Sequence, residues 1–173
     1  MRLLVGMTVL ATALATGQVC DAQCSQQTEG ARSVLAIAAY PLRGKVKLGS
    51  SVFLIVSMTN KSRHDVSVWM NKGGGENQYE VDVRDAKRNL PADTPFGERR
   101  NGHVHLEMLN LQDLIASGTC VTLKSKRSIT QLLNVSKLYE LNAPGKYFIR
   151  VQTADPETIA MVKSNTVKVT VAQ

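Results

Sequence analysis

Aromatic side chains are scarce in this chain, 5% of 173 residues, so an apolar core must rest on Val, Leu and Ile. Histidine and cysteine are scarcer still, with 3 of each. No G-x-S-x-G, C-x-x-C or H-E-x-x-H occurs anywhere. That removes the common signatures of nucleophile-elbow hydrolases, dithiol oxidoreductases and zinc metalloproteases. Gly73-Gly74-Gly75 lacks a following Lys-Ser/Thr and a helix, so it reads as a flexible loop and not as a phosphate cradle. The apolar run from Leu3 to Ala15 is too short, and too rich in small residues, to span a bilayer. There is no internal repeat, heptad or low-complexity block.

What is present fits one exported globular domain. Hydrophobic residues reach 43%, above the range of disordered chains, and the length suits a single core. Arg2, the apolar run and then Cys20-Asp21-Ala22 before Gln23 read as a secretory signal peptide over residues 1–22, with Ala15-Thr16-Gly17 as the weaker cleavage site. A lipoprotein signal does not fit, because Cys20 follows Val19 and Cys24 follows Gln23. Residues 23–33 are polar and read as a flexible tail, leaving 34–173 as the domain. The expected location is periplasmic or secreted, with no integral membrane segment after cleavage. Cleavage leaves Cys24 and Cys120, an even number in an oxidising compartment. One bridge between tail and mid-chain is one reading; two free thiols, or pairing between molecules, is the other.

The net charge is +7, and removing residues 1–22 deletes only Arg2 and Asp21, so it stays +7. The basic residues are scattered over inferred strand ends and turns, among them Arg63, Arg84, Lys87, Arg88, Lys124 and Arg127. Export argues against nucleic acid as a partner. It points to an anionic envelope polymer or an envelope or secreted protein with an acidic surface, or else to a solvated surface that only aids solubility. No cofactor is expected.

Strand signals dominate from residue 34 onward. Residues 34–40 and 45–48 read as a strand closed by Pro41 and a short edge piece. In 51–59, Val52, Leu54, Val56 and Met58 share one face while Phe53, Ile55 and Ser57 share the other, which marks a central or covered strand. Further strands are expected over 65–70, 79–84, 103–108, 119–123, 128–133, 147–151 and 167–171. Trp69 falls on the face opposite Val66, Val68 and Met70, so either a bulge turns it inward or it is partly exposed. Residues 72–76 and 90–102 read as loops, 110–117 as a short helix capped by Asn110, and 135–141 as one helical turn or a wide corner. Many short strands with polar turns read as an all-β antiparallel sandwich of about 7–9 strands.

Leu141-Asn142-Ala143-Pro144-Gly145-Lys146-Tyr147, just before an alternating run, resembles the tyrosine corner of immunoglobulin- or fibronectin-like sandwiches. In that corner the Tyr hydroxyl bonds a backbone group a few residues upstream, Pro-Gly makes the turn, and Leu141 would plug the core beneath the ring. The likeness covers about the last 35 residues and carries over to the rest only by strand rhythm. It implies a bacterial exported immunoglobulin-like domain and is silent on function. The Pro-Gly-x-Tyr element is also similar to the intracellular proteinase inhibitor family. That likeness implies an inhibitor whose insertion segment would be the stretch around Pro91 to Gly97.

His103 and His105 share one side of an expected strand, and His-x-His resembles the copper strand of Cu/Zn superoxide dismutase. That enzyme's bimetal site needs more than the 3 histidines here. A single copper or zinc site on His103, His105 and a third ligand such as His64 or Met108 is the metal-binding alternative. Glu107 lies about 13 Å along the strand from His103, too far to join easily. The leading expectation is a non-enzymatic binding domain whose loops carry recognition. The candidates are residues 72–78 with Gly73, Gly74 and Gly75, residues 96–102 with Arg99 and Arg100, and residues 154–165 at the last hairpin.

Overall fold

The computed structural model describes residues 32–71, 73–100 and 118–173. Among them the order is β1 (Leu35–Pro41), β2 (Lys45–Lys47), β3 (Phe53–Asn60), β4 (Val66–Asn71), α1 (Gly75–Gln78), β5 (Glu80–Arg84), α2 (Pro95–Arg100), β6 (Gly118–Leu123), β7 (Ser128–Asn134), β8 (Gly145–Ala154), β9 (Met161–Lys163) and β10 (Val167–Ala172). The fold class is all-β. No described helix is long and apolar enough to cross a membrane.

The strands form three sheets, β1-β3-β7, β2-β10-β8-β5 with β9 on β8, and the pair β4-β6. Every pairing is antiparallel except β2 with β10, which is parallel. The chain therefore leaves the first sheet after Pro41 and joins the second at Lys45. Pro41 is the last residue of β1, on an edge strand, where its missing N–H breaks no ladder. β3 is central, with β1 on one side and β7 on the other. Its two-sided apolar pattern follows: Leu54, Val56 and Met58 are fully buried while Phe53, Ile55 and Ser57 are partly covered.

One core joins residues of all three sheets, among them Leu54 and Leu133, Val68 and Leu123, and Ile149 and Val169. Each fully buried Val or Leu contributes about 1.5–3 kcal/mol relative to exposure. Val, Leu and Ile make up most of this core, with Tyr79, Tyr139 and Tyr147 buried among them. Asn60, fully buried at the end of β3, donates to the carbonyls of His64 and Leu123 and accepts from the N–H and hydroxyl of Ser62. All its hydrogen-bonding capacity is met, so it ties β3 to β6 without a desolvation penalty.

Side chains close the outer edges of several strands. Asn165 accepts from the Ala39 N–H and donates to the Ala39 carbonyl, both at 2.9 Å, along β1. Gln78 accepts from Asn71 N–H and donates to the Trp69 carbonyl, both at 2.9 Å, along β4. Glu76, 8% exposed, accepts from the Asn134 N–H at the end of β7. Beside β5, Arg100 donates to the Tyr79 carbonyl and the Tyr139 hydroxyl donates to that of Val81. Each contact satisfies a backbone group that would otherwise template another strand.

Three local expectations need correcting. Residues 75–78 are the helical turn α1, not open loop, and residues 95–100 are α2. Thr94 caps α2, its hydroxyl accepting from the Gly97 N–H at 3.0 Å, and Pro95 takes the first helical position. β9 forms inside the stretch expected to be one long hairpin loop. Residues 135–141 begin with a 3-10 turn, Val135–Lys137. Trp69 keeps regular register opposite Cys120 and is 45% exposed, so no bulge turns it inward. Its indole lies on Gly118, where a Cβ would come within 2.2 Å of the ring. The expected strand 103–108 and helix 110–117 lie outside the described residues.

Asp155 anchors the start of β1 to the turn after β8. One carboxylate oxygen accepts from the Leu35 N–H and the Ser33 hydroxyl, the other from the N–H groups of Glu157 and Thr158. Burial pushes this carboxyl upward, but those four donors outweigh it and hold it below the usual carboxylate range. Its stabilising effect is complete above the unfolded-state value of about 3.9 and is lost as pH falls through the lower folded value. Asp155→Asn is expected to lower the urea midpoint at pH 7 and to flatten the acid limb of stability below about pH 4. Denaturation across pH checks this; an unchanged acid limb would contradict it.

Candidate functional site

The outer face of the β5-β8-β10 sheet is concave where the chain leaves β5. Register sets Asp82 opposite Arg150 and Arg84 opposite Phe148, with Lys168 on the far side of Phe148. Alternation along β5 and β8 turns Val81, Val83, Ile149 and Val151 into the core, so these partners must face outward. The turn after β5 forms one wall of a groove of about 660 Å³, and Thr166 lies at the other end.

That turn is built by Asp85, whose carboxylate accepts from the N–H groups of Lys87 and Asn89 and from the Asn89 side chain. These contacts, led by the Asn89 N–H, hold the Asp85 carboxyl below its ordinary value. Arg88 sits in the left-handed region at φ 68° within that turn. Three arginines line the groove, Arg84, Arg88 and Arg150. Arg84 Nε donates to Asp82 Oδ1 at 2.7 Å, and Arg150 donates to the Thr166 hydroxyl at 3.0 Å. Phe148, 38% exposed, supplies apolar surface between them. The combination is a shallow site of three arginines and two aspartates, Asp82 and Asp85, one positive charge in excess, that can pair anionic groups and hold an apolar ring face.

The loop residues expected to bind do not gather here. Gly75 is buried, and a Cβ on it would meet the Leu132 carbonyl at 2.9 Å and Leu133 Cβ at 3.0 Å. Gly73 and Gly74 serve the entry to α1, Gly74 at φ 90°. Of this glycine run, Gly75 is held in close packing, while Gly73 is exposed and Gly74 partly covered. Arg99 is exposed on α2, whereas Arg100 is half-buried against Tyr79. Burial, opposed by Tyr139 and Glu80, lowers the Arg100 guanidinium from its ordinary value. Arg100 is a structural tie, so replacing both arginines would not isolate binding. Pro95 to Gly97 belong to α2, so the segment proposed for proteinase insertion is helical in that part and packed on Leu138.

Tyr147 donates its hydroxyl to the Ala143 carbonyl at 2.9 Å across Pro144 and Gly145, and Leu141 is buried in the same core. Cys120 is disulfide-bonded, and Cys24 lies outside the described residues. His103 and His105 also lie outside them. His64 is exposed and pairs with Glu157 at 2.8 Å. Among the described residues no three His, Cys, Asp or Glu are placed to hold a metal ion. In the sequence, Arg84 and Arg88 stand only among the scattered basic residues. The missing link was which residues of β8 stand beside them.

No family model and no curated protein matches this chain. Among solved structures, it is similar to a β-glucosidase from Listeria innocua in complex with isofagomine, at 15% identity over 82% of this chain and 16% of that one, with a TM-score of 0.42. It is also similar to the alkylpurine DNA glycosylase AlkC of Pseudomonas fluorescens bound to DNA containing an abasic site analog, at 7% identity over 82% of this chain and 31% of that one, TM-score 0.42. The chain spans less than a third of either structure's length. At that TM-score neither likeness bears on fold or function.

The corrected loops yield a direct test. A Cβ at Gly97 would lie 2.1 Å from the Leu138 carbonyl, whereas one at Gly44 meets nothing within 4 Å. Gly97→Ala is expected to cost about 1–3 kcal/mol through overpacking. Gly44→Ala should leave stability nearly unchanged. Chemical denaturation compares them, and equal effects would contradict the placement of α2.

Proposed function

We propose that this chain is a non-enzymatic, exported immunoglobulin-like domain that binds an anionic polymer of the cell envelope. Strand order supports the fold part: β1-β3-β7 parallels the A-B-E order of immunoglobulin sheets, and β5-β8-β10 parallels C-F-G. The Tyr147 hydroxyl bond then falls at the start of the strand that corresponds to F. The signal-like residues 1–22 and the net charge of +7 support export toward an anionic surface.

The observation that carries the binding role is the groove of Arg84, Arg88 and Arg150 on a sheet face that no described element covers. A rigid strand surface loses little entropy on binding, which supports recognition there. The mature chain should sediment with an envelope preparation, less so as salt shortens the screening length from about 10 Å at 0.1 M to about 3 Å at 1 M. Arg84→Gln with Arg150→Gln, both at exposed positions, should lower retention at least about tenfold with little change in melting temperature. Undiminished retention of the double variant, or no retention of the parent, would contradict the proposal.

A further inference from the structure

Deepening the reading of the same groove, we infer that its ligand is an acidic saccharide, a chain of carboxylated sugar rings, and not a phosphate polymer. The three guanidiniums alone would suit either anion. The other groups in the groove do not. Asp82 and Asp85 stand among the arginines, and both repel a dense anion. Arg84 takes Asp82 Oδ1, leaving Oδ2 to accept a hydroxyl, which a sugar offers and a polyphosphate chain does not. The Thr166 oxygen accepts from Arg150, so its own proton is available to a ring or hydroxyl oxygen.

Phe148 decides between them. Its ring lies exposed on the sheet face, with Arg84 in register on one side and Lys168 on the other. An apolar ring there gives a phosphate nothing to contact, but it can cover the C–H face of a pyranose while the flanking cations pair with the sugar carboxylate. The groove, at about 660 Å³, is within the range of ligand sites.

The test is titration of the mature chain with three probes: an unesterified oligogalacturonate, the same oligomer methyl-esterified, and a polyphosphate of equal charge. The free acid should bind, and esterification should weaken binding at least about tenfold by removing the charge-assisted pairs. Phe148→Ala should weaken the uronate about tenfold and leave polyphosphate binding unchanged. Phe148→Leu, which keeps apolar bulk on β8, should fall between and guards against loss of fold. Equal binding of polyphosphate and uronate, or equal effects of Phe148→Ala on both, would overturn the inference. If no uronate binds while envelope retention still depends on Arg84 and Arg150, this inference fails and the polymer-binding reading stands. If that dependence is absent too, both fail.

Discussion

The side-chain amide of Asn165 gives and takes one hydrogen bond with Ala39, as the backbone of an adjacent strand would. Gln78 does the same for β4, Glu76 and Tyr139 each satisfy one edge group on β7 and β5, and Arg100 satisfies the Tyr79 carbonyl just before β5. A fold of three small sheets has many edges for its size, and every unpaired edge group either costs desolvation or recruits another chain. Closing edges with side chains lets the sheets stay small. It also fixes where α1 and α2 sit, because each helix delivers a side chain that does the closing.

That constraint has a consequence for recognition. At these points along the edges, backbone groups are already engaged, which interrupts the ladder a foreign strand would need. The stretches that read as free loops are also occupied: Gly75 and Gly97 press against backbone, and Arg100 is drawn inward. Among the described residues nothing covers the outer face of β5 and β8, and there charged and aromatic side chains are held at fixed strand spacing.

Much of the β-structure was legible in the sequence. The alternation of Val81 and Val83, of Tyr147, Ile149 and Val151, and of Val167, Val169 and Val171 marks strands with one buried face, and all are buried. The two-sided apolar character of β3 likewise marked a central strand. The helices were hidden for different reasons. Thr94-Pro95 is a start signal for α2, but Gly97 and the prolines nearby made the stretch look irregular. α1 is one turn led by glycines, and no propensity argument would select it. The groove was illegible for a stronger reason. Arg84 and Phe148 are neighbours only through β5–β8 register, which is non-local, and each looks unremarkable on its own strand.

Native-state hydrogen exchange of Asn165→Ala measures most directly whether side chains hold the sheet edges. The Ala39 amide and its neighbours in β1 should exchange at least about tenfold faster than in the parent. Core amides of β8 and β10 should keep their protection. If β1 remains as protected as in the parent, the Asn165 contact is incidental and the edge-closing account is wrong.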